Sequence, residues 1–228
     1  GMLEEGITRL LYEWNDLDNA RRHGERALAL LRRWGHAQHI ASTMIALARI
    51  AHAAGLETRA QAMSRLDKTI AHCRQHNLRY PEQQAMEAQA RFALLEGNLD
   101  RARELYERTA QRFPQAYAYG AGSQPTLRIV RPLLLEGKHT AADRVLAAWQ
   151  DYTEKRGLVA QRIEVGLLQA LSAWRQAKRD TALSALNTAL RLAEPGGFVR
   201  TFLDEGPIVA DLLQSALKRG TAPAYAAQ

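Results

Sequence analysis

Four arginines fall at one recurring place in this chain. Arg9, Arg49, Arg91 and Arg131 are spaced 40, 42 and 40 residues apart, and Leu171 takes the same place once more. A guanidinium fork binds a carboxylate or phosphate through two parallel hydrogen bonds, so a row of forks suits an anionic ligand, an acidic peptide or a sugar phosphate. Three residues further along each period stand Tyr12, His52, Leu94, Leu134 and Trp174. Aromatic faces beside polar forks suit a sugar or another flat effector. Glu5 and Glu87 precede Arg9 and Arg91 by four residues, the spacing of ion pairs along one helix. A second group lies in FPQAYAYGAGSQP (113–125), where Tyr117 and Tyr119 sit among Pro114, Gly120, Gly122 and Pro125. This connection is longer than its counterparts, and long connections often carry binding residues.

Other chemistries find less support. His72 and His76 stand four apart beside Cys73, as a metal pair would, but no third ligand has matching spacing. No G-x-S-x-G, H-E-x-x-H or G-x-x-x-x-G-K-[ST] string occurs, so no catalytic residue, cofactor or metal is expected. Asp204 and Glu205 stand before Gly206 and Pro207, where a carboxylate can cap a helix.

The elements that must position these residues are helices. The 228 residues include 40 Ala and 32 Leu against 14 Val plus Ile, and aromatics are 7%. Good helix formers dominate, and strand formers are scarce. The single cysteine forms no internal disulfide, which fits a reducing, cytoplasmic setting. No apolar run reaches the roughly 20 residues of a membrane span. Gly1 reads as a cleavage scar, and the start lacks a signal-peptide pattern. The net charge of +7 suggests nucleic acid, but acids and bases interleave along the whole chain, so direct DNA binding is not expected.

A repeat organises the helices. The strings NDLDNA, GLETRA, GNLDRA, GKHTAA and AKRDTA end in Ala20, Ala60, Ala102, Ala142 and Ala182, spaced 40, 42, 40 and 40. Twelve residues before each alanine stand Thr8, Ala48, Ala90, Val130 and Ala170; four after stand Gly24, Ser64, Tyr106, Leu146 and Leu186. Small residues at matched heights let two antiparallel helices approach closely, so each unit is a helical hairpin, and hairpins stack into a solenoid. The pattern predicts helix pairs at 2–14/17–34, 38–54/57–76, 82–96/99–112, 124–136/139–156 and 159–177/180–194. Pro132 should kink the first helix of the fourth pair. A closing segment at 195–219 follows, with a helix at 207–218 whose Ile208, Leu212, Leu213 and Leu217 cover the last repeat. Residues 220–228 read as a linker or tail.

The strings resemble the tetratricopeptide repeat, with GNLDRARELY (97–106) nearest its pattern. ALRLAEPGGFVRTFLDEGPIVADLL (189–213) resembles the segment closing the repeat domain of MalT-like regulators, large ATP-binding members of the LuxR transcription-factor family. The resemblance implies an all-α, right-handed superhelical solenoid of five hairpins over 2–194 plus a capping helix. It implies an effector-sensing and oligomerisation domain, binding a small-molecule or peptide effector in its concave groove. Arg9, Tyr12, Arg49, His52, Arg91, Arg131 and Trp174 would line that groove, with Tyr117 and Tyr119 as loop contacts. It also implies a homo-oligomer, or contacts with ATP-binding and helix-turn-helix domains beyond this fragment. The other reading of the arginine row is an adaptor that binds an acidic peptide.

Overall fold

The computed structural model describes residues 1–117, 126–220 and 225. The chain divides into two compact units, Gly1–Leu94 and Leu95–Gln228. The first holds α1 (Met2–Glu13), α2 (Leu17–Trp34), α3 (Ala37–Ala53), α4 (Arg59–Gln75) and all but the last residue of α5 (Arg79–Leu95). The second holds α6 (Leu99–Arg112), α7 (Val130–Leu135), α8 (His139–Arg156), α9 (Val159–Arg175), α10 (Arg179–Ala193), α11 (Arg200–Leu203) and α12 (Pro207–Lys218). No strand occurs among the described residues. Within each unit neighbouring helices pack as hairpins, and α1 also meets α3, the arrangement of a helical-repeat solenoid.

The turns show why the chain reverses where it does. Asn15, Gly55, Gly97, Gly137 and Ala177 follow the five first helices, and all have φ between 59° and 72°. A left-handed residue there ends the helix and turns its last carbonyls toward the following amides, such as Leu56 N–H on Ala51 O. Glycine does this without strain, whereas Ala177 carries a Cβ in that conformation. Ala177→Gly is therefore expected to stabilise the chain by about 0.5–1 kcal/mol, after the extra freedom of glycine in the unfolded chain is subtracted. Urea denaturation checks it; a loss of stability would show that the φ at 177 carries no strain.

The five alanines do not all sit at equivalent places. Ala20, Ala102, Ala142 and Ala182 are fully buried, but Ala60 is exposed, and Ala62 occupies the buried position in the second hairpin. Ser64 is likewise exposed, while Leu66 is buried in its stead. The cause is a longer turn. Residues 54–58 separate α3 from α4, against 14–16 between α1 and α2, and Thr58 rather than an earlier residue caps α4, with Gln61 bonded back to its amide. On the first helices the expected register holds throughout, because Thr8, Ala48, Ala90, Val130 and Ala170 are all buried.

Five buried threonines, Thr8, Thr43, Thr69, Thr109 and Thr153, donate their hydroxyls to the carbonyl four residues earlier in their own helix. Each thus places a small branched side chain in a close interface with its polar atom satisfied. Gly24 of α2 allows still closer approach, since a Cβ there would lie 2.8 Å from Leu47 Cδ2 and 3.2 Å from Thr8 Cγ2.

The fourth hairpin departs from the predicted spans. Its first helix is a single 3-10 turn, Leu127–Ile129, followed by the six residues of α7. Pro132 is the third residue of α7, where its missing N–H breaks no helical bond, so it lies near the start of a short helix rather than kinking a long one. At the end of the chain, α12 buries Val209, Leu212 and Ala216 while Leu217 stays exposed. Ile208 and Leu213 pack on the same cluster as Leu212, so of the four residues expected to cover the last repeat only Leu217 does not. Phe202 is buried and Phe198 packs on the same cluster, and the Tyr225 hydroxyl donates to Phe198 O at 2.7 Å.

Candidate functional site

In the first unit the recurring positions lie on α1, α3 and α5. Tyr12 is buried against Ala20 and Ile50. The Arg49 guanidinium stands over its ring, 4.8 Å from the centroid. Such a stack contributes about 0.5–2 kcal/mol depending on exposure, and it holds the guanidinium in one orientation. One turn further along α3, the His52 ring lies 4.6 Å from that of Phe92 on α5, tilted by 50°. His52 Nδ1 is buried and makes no hydrogen bond among the described residues. A buried donor or acceptor left unmet costs about 1–3 kcal/mol. Arg91 is half-buried beside Phe92, and Arg9 is exposed on α1. The structure therefore joins Tyr12 to Arg49, and His52 to Phe92, a residue the spacing did not single out because it is one position out of phase with Arg91.

Two carboxylates of α1 are engaged by histidines. Glu5 accepts from His39 Nδ1 at 2.7 Å, tying α1 to α3, so it does not pair with Arg9 as the four-residue spacing predicts. Glu4 accepts from His23 Nδ1 at 2.6 Å, and that bond, with Arg26 nearby, holds its carboxyl below the usual range.

Arg131, in the second unit, has a different environment. Its Nε lies 3.1 and 3.2 Å from the two carboxylate oxygens of Glu205, and its NH2 nitrogen is 2.6 Å from Glu205 Oε1 and 3.0 Å from Glu164 Oε1. Burial works against its charge, but the Glu205 and Glu164 carboxylates outweigh burial and raise the guanidinium pKa well above its usual value. Arg175 is lowered by burial, with Glu205 opposing. Arg131 is therefore a clasp that holds the closing segment against α7 and α9. Asp204 and Glu205, expected to cap α12, do not: the cap position is Gly206, Asp204 pairs with buried Arg200, and Glu205 pairs with Arg131.

Trp174 lies under the Arg179 guanidinium, 3.6 Å from its centroid. Tyr117 is half-buried against the apolar cluster of the second unit, while Tyr119 lies outside the described residues. His72 and His76 stack with ring centroids 4.5 Å apart, and no group of three His, Cys, Asp or Glu among the described residues is placed to hold a metal. Cys73 is fully buried, and burial with Glu82 nearby pushes its thiol up to about 11, so it is inert at neutral pH. No helix among the described residues is long and apolar enough to cross a membrane.

A family model described as the MalT-like TPR region matches residues 1–219. No match is found among curated proteins.

Proposed function

From the premise that this chain belongs to the MalT-like TPR family, as the match over residues 1–219 shows, we propose that it is the effector-sensing domain of a LuxR-type transcriptional regulator. The effector binds along the first-helix face of the first unit. The observation that carries this reading is the pair of rings and cations on that face: Arg49 held over Tyr12, and His52 against Phe92 with its Nδ1 unmet. A flat polyhydroxylated or phosphorylated ligand stacks on such rings and bonds to the Arg49 guanidinium, oriented by Tyr12, and to that of Arg91. Arg131 takes no part, because its charge is met by Glu205 and Glu164. A bound ligand favours one arrangement of the hairpins it bridges and so biases self-association of the regulator.

A thermal-shift screen of oligosaccharides, sugar phosphates and acidic peptides tests the proposal. A ligand at 100 times its Kd stabilises by about 2.7 kcal/mol. Arg49→Ala combined with Arg91→Ala is expected to weaken the active ligand at least tenfold by calorimetry, while Arg9→Ala has less effect. Unchanged affinity in the double variant overturns the site, and stabilisation by acidic peptides alone favours an adaptor.

A further inference from the structure

Two histidines at the end of α4 form a pair that the effector site does not use. His72 lies in the last turn of the helix, and His76 is its C-terminal cap residue. A spacing of four residues puts both on one face, the way a helix offers two imidazoles to one metal ion. In space the rings are close, with centroids 4.5 Å apart and planes inclined at 51°. His76 is exposed and His72 half-buried.

Metal–nitrogen bonds of about 2.0–2.1 Å place two ring nitrogens on one ion about 3 Å apart, and rings this close reach that spacing by side-chain rotation. His72 Nε2 meets no hydrogen-bonding group among the described residues, so no protein donor occupies its lone pair. The other neighbouring pair, His36 and His39, is less suited. Its centroids are 6.1 Å apart, and His39 Nδ1 is bonded to Glu5 at 2.7 Å.

The surroundings decide how such an ion would be held. Cys73 is fully buried with its thiol pushed up to about 11, so sulfur takes no part. Glu82 accepts from Arg74 at 2.8 Å, and no third His, Cys, Asp or Glu among the described residues completes a set. Water therefore fills the remaining positions. Lys68, one turn earlier on α4, opposes a cation by its charge, while the carbonyl end of the helix attracts one.

We propose that His72 and His76 form a two-histidine site for a late first-row divalent ion such as Ni²⁺, Cu²⁺ or Zn²⁺. These ions favour imidazole, whereas Mg²⁺ favours oxygen ligands. The bound ion fixes the last turn of α4 and the turn that follows, where Asn77 has a φ of 54°. The site shares no residue with the effector site and does not depend on it.

The test is calorimetric titration of Ni²⁺ into the chain at neutral pH, with Mg²⁺ as the control. Ni²⁺ is expected to bind and to raise the melting midpoint as its concentration rises. His76→Ala, at an exposed position, should weaken binding at least tenfold, and His72→Ala should do the same, while His36→Ala leaves it unchanged. Nickel affinity that survives intact in His76→Ala overturns the proposal. So does binding of Mg²⁺ as tight as that of Ni²⁺, because two imidazoles give a hard cation no advantage.

Discussion

Replacing Arg131 by methionine is expected to destabilise the chain by about 3–5 kcal/mol, because it leaves the Glu205 carboxylate buried beside α7 with its main partner gone. The effect should exceed that of breaking an exposed pair in the second unit. Exposed pairs such as Lys155–Asp151 contribute at most about 1 kcal/mol. The result separates two ideas about the cluster. If the ion pair stabilises in its own right, Arg131→Met with Glu205→Leu remains as unstable as the single variant. If the cost lies in the orphaned charge, the double variant recovers most of the loss. Recovery is the expected outcome, with the remainder set by Glu164 and Arg175, which also interact with the pair. Urea denaturation followed by circular dichroism measures all three. A loss under about 1 kcal/mol for Arg131→Met would mean that the closing segment is held by Phe202 and α12 alone.

The second large effect concerns the second hairpin. Ala62→Leu is expected to cost about 1–3 kcal/mol, since the added atoms enter a filled interface. Ala60→Leu, on an exposed position two residues away, should change stability by no more than about 0.5 kcal/mol. Thermal melts of the two variants decide between the registers. The opposite order would restore the spacing of 40 residues between the first two alanines.

These residues show what a periodic pattern reveals and what it hides. The hairpins were legible because close helix packing demands small residues at fixed heights, and left-handed turns favour glycine or asparagine, which four of the five turns carry. Thr8, Ala48, Ala90, Val130 and Ala170 are buried as that logic requires. The register of α4 was hidden by a coincidence: an alanine at position 60 satisfies the count, while two extra turn residues carry the packing position to Ala62. The shortness of α7 follows from Pro132 and the unusual connection before it, which signal irregularity without its form. For the site, recurrence placed Arg49 and His52 on helix faces, but recurrence is blind to partners distant in the chain. Glu205 lies 74 residues from Arg131, and nothing in the spacing of arginines separates a clasp from a ligand contact.

The buried threonines bear on how such a chain grows. Each satisfies its hydroxyl within its own helix, so the interface it lines asks nothing of the neighbour except shape. An interface of that kind can be copied with its gene segment and abut any hairpin of similar contour. The α8–α9 interface is different, because Ser172 and Gln176 both depend on Asp143 opposite. Duplication or exchange of hairpins is therefore easiest at the α2–α3 junction and most constrained at the α8–α9 junction.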